Sequence, residues 1–225
     1  MMNEIIPSFR SSIFGDLANF SDLAELGIDS ILNDGLLKDI PIVGTLLGIT
    51  KIGQNLHDRN LLRQTLQFIY DFNNGDIDRE KLNDYKERIE SDGKKAEQEL
   101  GRVLLILNST LEQQKATLLA NLFRSYVNGK IDWSEFCEFS EIVRMLFLGD
   151  LAFLAAIYSG KTNSTTNLKL YPFGRLSSLG LITTSVKTVG GGTRMRTDDY
   201  VYLSELGGKF FGESMNTELR ALYKL

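Results

Sequence analysis

One histidine and one cysteine among 225 residues leave little of the usual catalytic and metal-binding chemistry. His57 is followed by Asp58 and Arg59, and no second histidine exists to complete a metal set or a catalytic pair, so it reads as a helix-face residue. Cys137 lies between Phe136 and Phe139 and reads as an inert buried thiol. Alone, it forbids an intramolecular disulfide and fits a reducing compartment. No P-loop, dinucleotide fingerprint or zinc spacing occurs. Carboxylates are many, but nothing singles out an acid–base pair. The expectation is a chain that is not an enzyme and uses no cofactor and no metal. Proline is also scarce, at 3 residues, so helices can run uninterrupted. Long hydrophobic runs are missing as well, and the N-terminus lacks a basic stretch followed by an apolar run and a cleavage site. The expected location is cytoplasmic.

What is present is enough apolar material for a core, 43% hydrophobic against 24% charged. The charge is uneven. Residues 161–225 hold 9 Lys/Arg and 5 Asp/Glu, whereas the rest of the chain is acidic and brings the total to −4. An anionic partner should therefore meet the C-terminal part. The expected fold class is mainly α: a helical bundle over residues 1–127 and a winged-helix-like α+β module over residues 128–225.

Helical spacing carries most of that expectation. Phe14, Leu17, Phe20, Leu23 and Leu26 predict an amphipathic helix or broken pair within 12–33. Asp39 and Pro41 predict the start of a helix that runs about 30 residues, about 45 Å at 1.5 Å per residue. Two helices are expected over 76–127, the first charged from Asp78 to about Ser91, with Asp92-Gly93 as a break. A further break is expected near Asn108-Ser109. Helices then follow from Trp133 to Leu148 and from Asp150 to Tyr158, and residues 160–168 read as a loop. β-branched residues around Gly190-Gly191-Gly192 predict a hairpin over 181–203. A last helix is expected from Glu205 to Tyr223, capped by Ser204.

Asn74-Gly75-Asp76-Ile77-Asp78 recurs as Asn128-Gly129-Lys130-Ile131-Asp132. A calcium loop also has Gly sixth and an apolar residue eighth. The ligand positions fail: the first and third are Arg124 and Tyr126 in one copy and Tyr70 and Phe72 in the other. The echo instead predicts a glycine closing one helix in a left-handed conformation and an aspartate capping the next, with Asp132 and Glu135 at capping-box spacing.

The sharpest feature is IPIVGTLLGITKIG, residues 40–53. Only the stretch between Asp39 and Lys51 is free of charge, too short for the roughly 20 residues of a membrane span. Gly44 and Gly48 form a GxxxG spacing and Gly53 follows. Each glycine costs a helix about 1 kcal/mol relative to alanine, which close helix–helix contact compensates. Such contact arises inside a core, between protomers, or at a membrane after a conformational change. Ile42, Gly44, Leu47, Gly48 and Gly53 are accordingly the expected oligomer or membrane helix, and the inner membrane an expected contact.

At the other end, RLSSLGLITTSVK (175–187) leads through a glycine-rich tip to VYLSELGGKFF (201–211). A helix, a strand, a basic turn, a returning strand and a helix in this order look like the winged-helix modules of many bacterial regulators. The resemblance covers about 60 residues. It implies that Lys187, Arg194 and Arg196 lie on the wing, with Arg175 on the preceding helix, facing a nucleotide or nucleic acid. That helix is short, with Pro172 and Gly174 near its start, and its Arg175, Ser177 and Ser178 form a poor base-reading set.

The Pro- and Gly-bearing apolar segment at 40–53, the KATLLANLF segment at 115–123 and the terminal Leu-Gly-Leu-Ile at 179–182 together resemble the bacterial abortive-infection (Abi-alpha-like) family and related phage-defence effectors. The resemblance is architectural and carries over no catalytic residue. It implies an antiphage role for a homo-oligomer that disrupts a membrane. With the basic C-terminal module it suggests gating by a nucleotide or a single-stranded nucleic acid. A winged-helix transcriptional regulator, dimeric through its helical part, is the alternative; an adaptor in a larger complex is a third reading.

Overall fold

The structure is a computed structural model, and it describes residues 2–15, 40–49, 56–161, 170–189 and 196–223. Among these the chain is mainly helical, with one small two-stranded antiparallel sheet. It divides into two compact units, residues 1–144 and 145–225. That division falls later than the boundary at 127/128 expected from the sequence, because the helix after Asp132 packs with the helices before it.

The first unit contains seven described helices: α1 Met2–Phe14, α2 Pro41–Ile49, α3 Leu56–Asn73, α4 Arg79–Ser91, α5 Gly93–Ser109, α6 Gln113–Val127 and α7 Trp133–Met145. Each buries residues at the three-to-four spacing of one helix face. Leu62, Leu66, Ile69 and Phe72 do so on α3, and Leu100, Val103 and Leu107 on α5. Helix α6 is buried on nearly every side, which fits its KATLLANLF composition. Phe123, at its centre, has the rings of Phe68, Phe72, Tyr85, Tyr126 and Phe136 around it at 5.3–6.0 Å. Tilted and edge-on geometries prevail there, as ring quadrupoles favour. Phe136 and Trp133 bring α7 into this cluster, which is why α7 belongs to the first unit.

The breaks follow cap chemistry. Asp78 accepts the N–H groups of Glu80 and Lys81 at the start of α4, and Asp92 those of Lys94 and Lys95 at the start of α5. Residues 76–127 thus form three helices, divided at Asp92 and again after Ser109, where the further break near Asn108-Ser109 was expected. The expected 30-residue helix is described as α2 and α3, with residues 50–55 outside the described residues. Most of the expected helix at 12–33 also falls outside them. Asp132 and Glu135 form the reciprocal capping box, each backbone N–H bonded to the other's carboxylate at 2.8–2.9 Å. Gly129 is left-handed (φ +74°), as the echo predicts. Gly75 is not left-handed. The Arg124 guanidinium lies against it, in the space beside its Cα.

The second unit holds a short 3₁₀ turn (Leu148–Asp150), α8 Leu151–Tyr158, α9 Leu170–Ser178, β1 Ile182–Val189, β2 Arg196–Leu203, α10 Glu205–Ser214 and α11 Thr217–Leu222. The strands pair from Ile182↔Leu203 to Val189↔Arg196. Leu151, Leu154, Leu176, Leu181, Ile182, Val201, Phe210 and Phe211 are among its buried apolar residues. At the base of the hairpin the Ser204 hydroxyl accepts the Gly207 N–H (2.8 Å) and donates to the Gly180 carbonyl (2.5 Å). Any side chain at 207 would run into the Leu181 carbonyl, 1.9 Å from a Cβ there. The single last helix expected from Glu205 to Tyr223 is two helices, because Asn216 caps a new one through the Leu219 N–H.

Candidate functional site

Three places in the molecule carry functional chemistry or were expected to.

The first is α2, the apolar glycine-bearing helix. Ile42, Val43 and Leu46 are buried, and Gly44 is exposed. Leu47 and Gly48 lie within α2, and Gly53 lies outside the described residues. Helix α1 holds α2 by hydroxyls. Ser12 Oγ accepts the Ile42 backbone N–H at 3.0 Å, and Ser8 Oγ lies 2.5 Å from Thr45 Oγ1. A first-turn N–H of a helix has no partner of its own, so Ser12 acts as a cap supplied from another helix. Among the described residues, no helix is long and apolar enough to cross a membrane.

The second is the basic end of the second unit. Lys187 and Arg196 stand on the two strands, opposite Asp198 and Val189 respectively. Arg194 lies in the tip, outside the described residues. Arg175 differs from the expected ligand residue. Its Nε and Nη2 donate to the two oxygens of Asp150 at 2.6 Å each, and its guanidinium lies 5.0 Å over the Phe147 ring. Asp150 is 1% exposed. The pairing with Asp150 raises the Arg175 pKa further. Arg175 is therefore committed to the fold. Sequence reading missed the tyrosines of this unit. Tyr171 on α9 is 79% exposed and Tyr202 on β2 is 42% exposed, with the Tyr200 ring 6.4 Å from that of Tyr202.

The third is a cleft of about 580 Å³ between α4 and the α6–α7 turn, with Tyr85, Tyr126 and Ile131 among its walls and Lys81, Arg88, Lys130 and Asp84 around it. The Arg88 guanidinium lies over the rings of Tyr85 (5.0 Å) and Tyr126 (5.7 Å). It also donates to the Tyr126 hydroxyl at 3.0 Å, and that hydroxyl donates to the buried Glu99 at 2.9 Å. Burial, and next the Glu99 carboxylate, push the phenols of Tyr85 and Tyr126 well above their usual range. The Tyr85 hydroxyl is buried without a hydrogen bond. Only the i, i+3 pair Tyr85 and Arg88 is visible as a unit in sequence, since Glu99 and Tyr126 come from other helices.

Cys137 is half-buried, and burial pushes its thiol upward. Among the described residues no cluster of His, Cys, Asp and Glu has an arrangement that could hold a metal. Comparison with protein-family models, with curated proteins and with solved structures finds no match.

Proposed function

We propose that this chain is a non-enzymatic effector of bacterial antiphage defence, of the abortive-infection type. In this reading its C-terminal unit binds an anionic ligand, a nucleotide or a nucleic acid, and α2 is the element that ligand binding sets free. The observation that carries it is the storage of α2. The helix is apolar on its buried side, carries an exposed glycine at Gly44, and is fastened to α1 by neutral hydroxyls at Ser8 and Ser12. The helix carries no charged group, its release would expose Ile42, Val43 and Leu46 for another apolar surface to cover, and glycine at its open side permits close approach of another helix. Freed helices from several protomers would bury their apolar faces against one another and at the inner membrane.

The test is solution mass by light scattering with and without short DNA oligomers, followed by dye leakage from anionic vesicles. The expected result is a homo-oligomer whose mass or shape responds to the oligomer, with leakage that Gly44→Leu abolishes. A mass indifferent to DNA, with no leakage in either state, overturns it.

A second reading rests on the order α9, β1, β2, α10, which is that of a winged helix. It makes the chain a duplex-binding regulator, dimeric through its helical part. Commitment of Arg175 to Asp150 leaves α9 few groups to read bases with, which favours the first reading. Salt-dependent affinity for long duplex, from a plain dimer, would favour the second.

A further inference from the structure

We infer that the cleft between α4 and the α6–α7 turn of the first unit binds a small phosphorylated molecule, a phosphomonoester whose phosphate is taken by Lys81, Arg88 and Lys130. This site does not depend on the anionic ligand proposed for the C-terminal unit.

The two copies of the Asn-Gly-X-Ile-Asp echo build the cleft. The Asn128 side chain donates to the Asp76 carbonyl at 3.1 Å and accepts the Asp78 N–H at 3.0 Å, which pins the start of α4 to the α6–α7 turn. Further along α4, Arg88 Nη2 donates to the Tyr126 hydroxyl at 3.0 Å. The cleft of about 580 Å³ thus lies between walls tied at two places, and its shape is preformed, as small-molecule sites generally are. Gly129 is left-handed and has no side chain, and the Lys81 ammonium reaches to 4.0 Å from where a side chain at 129 would begin. Lys81 therefore meets the turn that carries Lys130.

Lys81, Asp84 and Arg88 follow one another at helical spacing on α4, and all three line the cleft. Asp84 sits one turn from each base, yet among the described residues it pairs with neither, and the Lys81 and Lys130 ammonium groups have no ion pair. Arg88 is held over the rings of Tyr85 and Tyr126 while 43% of its side chain stays exposed. It gives one N–H to Tyr126, and Glu99 is 3.8 Å away, beyond a hydrogen bond. A planar fork fixed against two rings, with donors to spare, is preorganised for phosphate oxygens.

Three acids share the cleft with these three bases. Asp132 and Glu135 each give one oxygen to the capping box, and Asp84 is exposed. The balance leaves no net attraction for a polyanion, so a nucleic-acid strand is not the ligand favoured here. A single phosphate concentrates its charge on a few oxygens and fits against the bases, away from the carboxylates. Tyr126, Val127 and Ile131 also line the cleft and give an apolar side to the organic body that carries the phosphate.

The test is isothermal titration calorimetry on the full chain with adenosine monophosphate, ribose phosphate and adenosine. Both phosphomonoesters are expected to bind and adenosine is not; the tighter of the two tells a nucleotide from a sugar phosphate, and either order supports the site. Lys81→Gln and Lys130→Gln should each weaken binding by about tenfold, the worth of one hydrogen bond to a charged group. Arg88→Lys should weaken it too, because an ammonium lacks the fork. Asp84→Asn should tighten binding by about two- to fivefold, since it removes a negative neighbour of the phosphate. A gain of this kind is one that a misfolded variant does not produce. Adenosine binding as tight as that of adenosine monophosphate overturns the site. So does the absence of binding by either phosphomonoester at millimolar concentration, or wild-type affinity in both lysine variants. Binding that is lost with Lys187→Gln instead overturns the cleft and assigns the phosphomonoester to the C-terminal unit.

Discussion

Both oxygens of Asp150 are held by the Arg175 guanidinium, at 2.6 Å each, with the carboxylate sealed from solvent. A buried carboxylate that loses its cation is left uncompensated, so the pair matters more when broken than when present. Arg175→Ala should lower the melting temperature of the second unit clearly more than Lys187→Ala does. Arg175→Lys should recover only part of the loss, because an ammonium cannot make the two-pronged contact. Equal melting temperatures for the alanine variants would show the pair to be dispensable.

Phe123 is fully buried and touches five other rings. Phe123→Ala should cost the first unit about 3–5 kcal/mol, the usual range for a core phenylalanine. Phe123→Leu should cost less. Urea unfolding followed by far-ultraviolet circular dichroism measures both.

Ser12 supplies a buried acceptor to Ile42 N–H. Ser12→Ala should cost about 1–2 kcal/mol, as loss of a helix cap does. Its local signature is hydrogen exchange at Ile42, which should accelerate more than exchange in α6. Uniform acceleration across the first unit would mean that α2 is no weaker than its surroundings.

The phenols of Tyr85 and Tyr126 titrate above their unfolded value of 10.0. Below about pH 10 both states keep these protons and stability is level. Above it the unfolded chain loses them while the native chain retains them, so stability falls as pH rises. The slope approaches about 1.4 kcal/mol per pH unit for a fully protected phenol, and the half-buried Tyr126 contributes less. Burial lowers the Lys115 pKa below 10.5, which works in the opposite direction. At neutral pH, Tyr126→Phe should lose a hydrogen bond to Glu99 and one from Arg88. Tyr85→Phe should cost less, since its buried hydroxyl faces Glu99 without the close hydrogen bonds that Tyr126 makes. Urea midpoints between pH 7 and about 11 test both the slope and the contrast between the two variants.

Local signals in this chain were legible because they act within a few residues. Asp78, Asp92, Asp132 with Glu135, and Ser204 all cap the helices their positions suggest. The hairpin strands follow from β-branched runs around a glycine tip. Less legible was whatever depends on a distant partner. Asn216 is the exception, a cap as local as the others, which divides in two the helix expected from Glu205 to Tyr223. Gly75 matches the pattern of Gly129 but is not left-handed, and the Arg124 side chain from another helix lies beside it. Arg175 looked like a free cation until Asp150, 25 residues earlier, was placed beside it.

By itself the sequence determined the helical class, most element ends, the hairpin and the uneven charge, because hydrophobic period, cap chemistry and net charge are properties of short stretches. Only the tertiary structure decided that α7 joins the first unit, that Ser12 caps α2 and that Glu99 anchors Tyr126. It also decided which face of the hairpin carries the tyrosines. Each of these needs two segments distant in sequence to meet, and the energy of such a meeting depends on distance and burial that no local pattern encodes.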